Sequence, residues 1–295
     1  MHAERKALDA TAVSVMVLLC LIWAVGHAAT KYTGQGISFV FQAGVRSVVA
    51  TGLLLAWAHF GNIPLWERDR TFWPGICAGL LFAAEFVFIF AGLALTDASR
   101  MVVFVYLAPC MTALGLHFLI PQERLNGKQW AGILLAFTGV TVAFGDGFAA
   151  GRGTLLGDFF GLMGAALWAA TTVLVRATRL ASASAPKTLF YQVAVSGPVL
   201  LAASWLLGEP GVIRLTPLII AAFAYQCVVV AFASFLAWFW LLRHYMAARI
   251  SVLTFLTPLF GTLAGVLLLG EPLTPSFAAA AVLVGGGIFL VNLKS

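Results

Sequence analysis

Long apolar runs separated by short polar links dominate the chain. Most of the runs hold about 20 residues, the length at which a helix crosses the roughly 30 Å hydrocarbon core of a bilayer. The links contain glycine, proline and charged residues, as in Gly208-Glu209-Pro210-Gly211. The pattern predicts ten transmembrane helices, at about residues 10–31, 37–58, 72–96, 99–120, 128–146, 154–175, 187–207, 216–242, 249–269 and 275–293.

The composition supports this interpretation of the whole chain. Of the 295 residues, 62% are hydrophobic and 9% are charged, whereas about a quarter of the residues of a typical soluble domain are charged. Too few charges remain to cover a surface exposed to water, and the links are too short to fold as soluble domains. The expected fold class is therefore all-α integral membrane.

The positions of the positive charges predict an orientation. If the N-terminus is cytoplasmic and the spans alternate, twelve of the 17 lysines and arginines fall on the cytoplasmic side, four fall on the other side, and Arg46 lies within a span. This bias is the positive-inside pattern, and it predicts a multi-pass protein of the bacterial inner (plasma) membrane with both termini in the cytoplasm. The net charge of +6 is scattered along the chain, so it does not favour binding of nucleic acid.

The second half of the chain repeats features of the first at an offset of 145 to 149 residues. The segments Ala98-Ser99-Arg100, Tyr106-Leu107-Ala108-Pro109 and Glu123 correspond, in order, to Ala247-Ala248-Arg249, Phe255-Leu256-Thr257-Pro258 and Glu271. Each half, 1–150 and 151–295, holds five predicted spans, and because five is odd the second half begins on the opposite side of the membrane. Inverted repeats of this kind are typical of alternating-access transporters, whose substrate site lies near the midplane.

Two matched pairs of residues lie deep within their spans. Pro109 and Pro258 fall in the middle of corresponding spans, where proline removes a backbone hydrogen bond and kinks or breaks the helix. We expect them to act as hinges or to line a cavity, although proline is also common in membrane helices. Trp23 and Trp168 occupy equivalent places in the first and sixth spans, which favours cavity lining over a role as interface anchors.

These residues together resemble the EamA-type family of the drug/metabolite transporter superfamily. That family is built from two five-span repeats, each with a tryptophan in its first helix, a mid-helix proline in its fourth and a Gly-Glu pair before its fifth. Gly270-Glu271 matches the pair in the second repeat, whereas Gln122 precedes Glu123 in the first. Phe277 stands where a polar residue equivalent to Gln129 is expected.

The resemblance implies a secondary transporter rather than an enzyme. Within the family, the length and aromatic content of the chain are most similar to those of inner-membrane exporters of aromatic and other amino acids. A small-molecule substrate of that kind, an amino acid or a similar metabolite, and the lipid bilayer are the partners it implies, with protons as a candidate coupling ion. Export of other small metabolites or drugs is the alternative within the family.

Charged groups at membrane depth are costly, so each one is a candidate for function. At a rise of about 1.5 Å per residue, Arg46 and Glu85 lie roughly 14 Å and 17 Å from the outer ends of their predicted spans. They are level enough to form an ion pair that holds the bundle together. The alternative is that Glu85 carries a proton or contacts an ammonium group of the substrate.

The remaining polar and aromatic residues at depth suggest a substrate cavity. We predict that it is lined by Trp23, His27, Glu85, Tyr106, Trp168, Tyr225, Gln226 and Trp238. Aromatic walls with a few polar groups suit an amphipathic ligand. His27 has no second histidine at metal-binding spacing, so neither a metal site nor a cofactor is expected.

Two further classes of membrane protein fit the sequence less well. An intramembrane hydrolase needs an activated nucleophile with an oriented base, and the sequence shows no such set. A channel needs a continuous polar lining, and the spans are too apolar to provide one. A nucleotide-binding loop of the form GxxxxGK[ST] is also absent from the sequence, so we expect any active transport to use a gradient.

Overall fold

The chain is helical throughout the part that the structure describes. The structure is a computed structural model that describes residues 8–67, 69–93, 95, 98–150, 154–269 and 275–293, with backbone alone at 93, 98–100, 146–150, 264–269 and 277. Apart from one isolated bridge, no strand forms among these residues. The Gly270-Glu271 pair and the side chain of Phe277 lie outside the described residues.

Thirteen α-helices account for most of the described chain. They are α1 Ala10–Thr33, α2 Phe39–Phe60, α3 Phe72–Leu93, α4 Ala98–Val105, α5 Ala108–Leu119, α6 Gly127–Ala150, α7 Leu155–Ala177, α8 Ala185–Leu206, α9 Pro217–Tyr225, α10 Phe235–His244, α11 Ala247–Leu253, α12 Leu256–Leu269 and α13 Pro275–Asn292. A π-helix, Gln226–Ser234, joins α9 to α10, and short 3-10 helices lie at Pro121–Glu123 and Arg179–Ser182.

The described helices confirm the all-α membrane class. Within the described residues, seven helical segments are long and apolar enough to cross a bilayer, and shorter apolar helices occur at Ala247–Leu263 and Ala278–Asn292. A helix satisfies its backbone hydrogen bonds internally, which is the condition for a chain to pass through hydrocarbon.

Local sequence signals mark where several helices begin. The side chains of Asp9, Thr154, Ser184 and Thr216 each accept a hydrogen bond from a backbone N–H in the first turn of the helix that follows. Such caps satisfy donors that the helix itself leaves without partners. The short polar links therefore both end one helix and start the next.

Contacts between helix termini define one end of the bundle. The Tyr245 hydroxyl donates to both carboxylate oxygens of Asp9, at 3.0 and 2.9 Å, so the end of α10 lies beside the start of α1. The Lys187 ammonium donates to Asp69 at 2.8 Å and joins the start of α8 to the segment before α3. We call this end the basic end, because it carries Arg124, Lys128, Arg176, Arg179, Lys187, Arg243 and Arg249.

The link between α8 and α9 covers the start of α2 at the opposite end of the bundle. Glu209 accepts hydrogen bonds from the backbone N–H groups of Val40 and Phe41, at 3.1 and 2.8 Å, and from the Ser204 hydroxyl at 2.7 Å. Ser38 makes no side-chain cap of its own on α2. A carboxylate from the second half therefore caps a helix of the first half.

The packing of α6 against α13 is symmetric between the two halves. A Cβ at Gly132 would lie 2.7 Å from the Gly287 carbonyl oxygen, and one at Gly139 would lie 3.0 Å from the Ala280 carbonyl oxygen. The sequence offset of 148 carries Gly132 to Ala280 and Gly139 to Gly287. The two contacts are therefore the same contact seen from each half, and the two equivalent helices run antiparallel.

Equivalent residues also meet where α2 packs against α8. The Ser196 hydroxyl donates to the Ser47 hydroxyl at 3.2 Å, and a Cβ at Gly197 would lie 2.9 Å from a methyl group of Val48. Each pair is separated by an offset of 149 residues. Residues that contact their own equivalents lie at a two-fold axis, so the axis passes between α2 and α8.

The close approach of α6 and α13 gives a test of this packing. A side chain at position 287 would meet the Gly132 carbonyl oxygen at 2.5 Å and the Ala136 nitrogen at 2.6 Å. We expect Gly287→Val to force the helices apart and to lower stability by about 1–3 kcal/mol, the usual cost of overpacking. The melting temperature of the purified protein in detergent measures the loss.

Gly285→Ala is the matched control, because nothing lies within 4 Å of a Cβ at that position. This variant should melt at the wild-type temperature or above it, since alanine favours helix more than glycine does. Equal loss of stability in both variants would contradict the proposed contact.

Candidate functional site

Both matched prolines lie immediately after a break in a helix. The helix α4 ends at Val105 and α5 begins at Ala108, so Pro109 lies in the first turn of α5. The helix α11 ends at Leu253 and α12 begins at Leu256, just before Pro258. Because proline has no N–H, the carbonyl group four residues earlier loses its helical donor. The assignment of the two prolines as hinges stays a prediction.

A residue from the first half satisfies a carbonyl group at the second break. The N–H of Thr257 donates to Thr254 at 2.9 Å rather than one residue further back. The carbonyl oxygen of Leu253 accepts a hydrogen bond from the Cys20 thiol of α1 at 3.3 Å. In the sequence Cys20 is one small residue in an apolar run, and no local signal distinguishes it from the others.

The two helix breaks face each other across the boundary between the halves. The rings of Tyr106 and Phe255, which are equivalent residues, lie 6.4 Å apart. The Trp168 ring packs edge-on against Tyr106 at 6.3 Å. We call Tyr106, Trp168 and Phe255 the aromatic cluster. The structure thus brings together two of the predicted cavity residues and both proline-linked breaks.

Trp23 contacts the second half through the π-helix. Its indole N–H donates to the Ser234 hydroxyl at 2.9 Å, and its ring packs edge-on against Trp238 at 5.8 Å. A π-helix has i→i+5 hydrogen bonds, so each turn is wider than in an α-helix, and it often occurs at functional sites. Trp23 and Trp238 lie together, but no ring pair or hydrogen bond joins them to Trp168 among the described residues.

The hydrogen-bonding groups of Tyr225 and Gln226 are occupied by other helices. The Tyr225 hydroxyl donates to the Ile22 carbonyl at 3.0 Å. The Gln226 amide oxygen accepts from Thr30 at 2.9 Å, and its nitrogen donates to Thr33 at 2.9 Å and to Gln42 at 3.3 Å. This fully bonded network fastens the π-helix to α1 and α2, while a role of these two residues in a cavity stays a prediction.

Arg46 and Glu85 are both buried, but they do not form the direct ion pair predicted from the sequence. Their charges act on each other, yet no salt bridge joins them within the described chain. The Arg46 guanidinium lies over the Phe86 ring instead, 4.7 Å from its centroid. Equal depth in adjacent helices therefore does not by itself bring two side chains into contact.

His27 lies in the same region and has an exposed side chain. The charge of Arg46, a buried residue of α2, acts on its ring. His27 and Arg46 therefore lie close enough for an electrostatic interaction. Among the described residues, no three His, Cys, Asp or Glu side chains come together as a metal site requires.

A buried ion pair joins the two halves at the basic end. Glu123, at the end of the 3-10 helix after α5, pairs with Arg176 at the end of α7, and both side chains are almost inaccessible to solvent. The second carboxylate oxygen of Glu123 accepts a hydrogen bond from the backbone N–H of Ala248 at 3.0 Å, in the first turn of α11. We call these three residues the latch.

Sequence reasoning did not identify the latch. In the sequence, Glu123 is distinguished only as a residue shared by the two repeats. Arg176 is one of the twelve positive charges assigned to the cytoplasmic side. The two lie 53 residues apart, and no local pattern links them. Their positions in matched motifs of the two repeats were the only signal that could have singled them out.

Lys187 and Asp69 form a second polar contact between the halves at the basic end. The Lys187 side chain is buried, and its ammonium donates to Asp69 and, at 3.1 Å, to the Glu67 carbonyl oxygen. Partial burial raises the pKa of Asp69, but the hydrogen bonds from Lys187 and Thr71 outweigh it and lower the pKa to about 2. This contact is thus present at neutral pH and weakens only as the pH falls towards 2.

Comparison with known proteins gives one family match in each half of the chain. The EamA-like transporter family matches the chain twice, over residues 10–145 and 155–293. A solved crystal structure with 22% sequence identity superimposes with a TM-score of 0.80, covering 97% of this chain and 99% of that chain, and it shows the same fold.

Similar proteins of known sequence cover nearly the whole chain. A Pseudomonas aeruginosa protein is 30% identical, covering 98% of this chain and 95% of its own. The Bacillus subtilis protein named "Uncharacterized transporter YvbV" is 26% identical, covering 95% and 91%. An Escherichia coli protein named "Probable amino-acid metabolite efflux pump" is 24% identical, covering 93% and 92%. The two family matches confirm the resemblance drawn from the sequence, and the chain belongs to the EamA-like transporter family.

Proposed function

We propose that the protein is a secondary transporter that exports small amphipathic metabolites, with amino acids, including aromatic ones, as the leading class. The observation that carries this proposal is the meeting of two broken helices at Tyr106 and Phe255. Broken helices at the interface of inverted repeats form the substrate sites of many transporters. The aromatic cluster beside the breaks supplies ring surfaces suited to an amphipathic substrate.

The proposed topology has ten spans in two inverted halves, 1–150 and 151–295. The ten spans are α1, α2, α3, α4 with α5, α6, α7, α8, α9 with the π-helix and α10, α11 with α12, and α13. The antiparallel packing of equivalent helices supports the inversion. The concentration of lysine and arginine supports a bacterial inner membrane location with the basic end, and both termini, in the cytoplasm.

The latch closes the basic end in the proposed mechanism. Glu123 holds α7 through Arg176 and α11 through Ala248, so these helices cannot separate while both contacts last. A substrate from the cytoplasm then enters only after the latch opens, and it leaves at the opposite end after the latch has closed. We propose that this cycle is either coupled to protons or runs without a coupling ion.

The names of relatives favour amino-acid export over export of other metabolites or drugs. The Escherichia coli relative carries a name that refers to amino-acid metabolite efflux. An intramembrane enzyme and a channel are the competing classes. A saturable, substrate-selective flux in proteoliposomes, without conversion of the substrate, separates a transporter from both.

The orientation of the protein can be tested with single cysteines at exposed positions. Ser182 lies at the basic end, and Arg214 lies at the opposite end. In intact cells, with the native cysteines replaced and Cys20 changed to serine to keep its hydrogen bond, an impermeant maleimide should label Arg214→Cys but not Ser182→Cys. Permeabilised cells should label both. Labelling of Ser182→Cys alone in intact cells would invert the topology.

The latch predicts an asymmetric response to charge exchange. Glu123→Gln or Arg176→Ala leaves a buried charge without its partner, which costs about 3–5 kcal/mol in soluble proteins. Exchange of both, Glu123→Arg with Arg176→Glu, restores the ion pair but places an arginine donor against the Ala248 N–H. We expect the melting temperature of the double variant to recover only in part, and full recovery would contradict the role of Ala248.

The same variants test whether the latch is a gate. A cysteine at the buried Thr257, beside the second break, should react faster from the basic end when Glu123 is changed to glutamine. Glu67→Gln is the control, because Glu67 is largely exposed and lies 4.0 Å from the Lys187 ammonium. Unchanged reactivity in the Glu123→Gln background would show that the latch does not control access.

The aromatic cluster predicts how substrate selectivity responds to mutation. Trp168→Ala should change the ranking of amino acids transported into proteoliposomes, because each lost aromatic contact is worth about 0.5–1.5 kcal/mol beyond burial. Trp205→Ala is the control, since the Trp205 side chain is 79% exposed. Assays at several pH values also test proton coupling. If the two variants behave alike, Trp168 packs the bundle and does not contact the substrate.

A further inference from the structure

Arg46 carries a hydrogen-bonding edge that nothing in the described chain uses. The residue is only 5% exposed, and its Nε and Nη2 atoms are buried without hydrogen-bond partners among the described residues. These two nitrogens lie side by side on the guanidinium and form the fork that binds a carboxylate through two parallel hydrogen bonds. A buried donor without an acceptor is costly, so this edge is suited to a ligand that brings two acceptor oxygens.

The surroundings of Arg46 hold the guanidinium in place without using this edge. The Phe86 ring lies 4.7 Å from its central carbon, an arrangement that stabilises the cation through the ring face. Phe86 in turn packs against Phe82 at 5.0 Å and Phe90 at 5.7 Å. The guanidinium is thus oriented in advance, which reduces the entropy lost when a ligand binds.

The neighbouring carboxyl group of Glu85 restricts the class of ligand. Glu85 is 8% exposed and makes no hydrogen bond within the described chain. It lies close enough to Arg46 for an electrostatic interaction, yet no salt bridge joins the two side chains among the described residues. When Glu85 is ionised, a sulfate or phosphate dianion bound at Arg46 would meet repulsion from it. A zwitterion that places its carboxylate at Arg46 and its ammonium at Glu85 would satisfy both groups.

Three groups lie at one depth in the bundle. At about 1.5 Å per residue, His27, Arg46 and Glu85 lie about 9 to 12 Å from the ends of their helices on the side opposite the basic end. The side chain of His27 is exposed, and it lies close enough to Arg46 for an electrostatic interaction. The Nε and Nη2 atoms of Arg46 are buried in this conformation, so a ligand could contact them only after the surrounding helices move.

We propose that Arg46 binds the carboxylate of the transported substrate and that Glu85 binds its ammonium group. This proposal rests on the proposed function and narrows it to α-amino acids with both groups free. The aromatic side chain of such a substrate would then be recognised separately from its charged head. Glu85 acts in this arrangement as a substrate ligand, and the hydrogen-bonding fork of Arg46 supplies the selectivity for carboxylate over amide.

Competition binding to the purified full-length protein tests the proposal. Radiolabelled phenylalanine is the probe, and the competitors are unlabelled phenylalanine, phenylalaninamide and 3-phenylpropionate. Wild type should bind phenylalanine at least about tenfold more tightly than either analogue, since a site built to bind a polar group rejects ligands that lack it. Arg46→Gln should lose the preference over phenylalaninamide, and Glu85→Gln should lose the preference over 3-phenylpropionate.

The control is Arg214→Gln, which removes an exposed arginine from the link between α8 and α9. It should keep the full preference. If Arg46→Gln does not fold, Arg46→Lys keeps the charge without the fork and should bind phenylalanine more weakly. The preferences of the wild-type protein test the proposal even if no variant folds.

The outcomes separate this proposal from the proposed function. If wild type transports phenylalanine but binds phenylalaninamide equally well, or if Arg46→Gln keeps the preference, the carboxylate site is wrong and the transporter stands. Transport of amines or drugs alone leads to the same conclusion. If proteoliposomes show no flux of any amino acid, metabolite or drug in the panel, both proposals fail together.

Discussion

The rest of this structure depends on one constraint, that backbone polar groups inside a bilayer must find partners within the protein. An unbroken helix meets that condition with its own hydrogen bonds, whereas a helix broken next to a proline leaves backbone groups that need partners elsewhere. At the second break the Cys20 thiol of the other half satisfies the Leu253 carbonyl oxygen. At the same level the two breaks cover each other through Tyr106 and Phe255. The breaks are therefore tolerated because the halves are assembled, and neither half could present its break to lipid.

The contacts between the halves differ in chemistry from one region to the next. Small residues let backbones approach closely at α6 and α13, as is common between membrane helices. Charged side chains join the halves at the basic end, through Glu123 with Arg176 and through Lys187 with Asp69. Contacts between small apolar surfaces can slide, whereas a buried ion pair is either made or broken. The charged contacts at the basic end therefore suit a switch between two states.

Much of the fold could be predicted from the sequence, because the relevant signals are local or periodic. Apolar runs of membrane length predicted the helices, and the matched Pro109 and Pro258 marked where two of them break. The π-helix at Gln226–Ser234 could not be predicted, because its apolar sequence fits an ordinary helix equally well. Its wider turns place Ser234 where Trp23 donates to it, a contact between residues 211 positions apart.

The sequence singles out candidate site residues by their depth, but not the contacts that they make. The cost of polar groups in hydrocarbon singled out Arg46 and Glu85, and depth along the helices placed them level. Depth does not decide whether they touch, and the Arg46 guanidinium lies over the Phe86 ring instead of against Glu85. The latch could not be predicted because its residues are far apart in the sequence. They come into contact only when the fold places α7 and α11 beside the Glu123 carboxylate.

The symmetric packing of α6 on α13 has a consequence for how the sequence can change. The contact is isologous, like the interface of a two-fold dimer in which one patch binds its own copy. In a true homodimer one codon would alter both sides of such an interface at once. Here the copies are separate stretches of one chain, so Gly132 and Ala280 can diverge, and so can Ser47 and Ser196. Covalent fusion of the halves thus permits an asymmetric centre, with Arg46 and Glu85 in one half only, inside a frame that remains nearly symmetric.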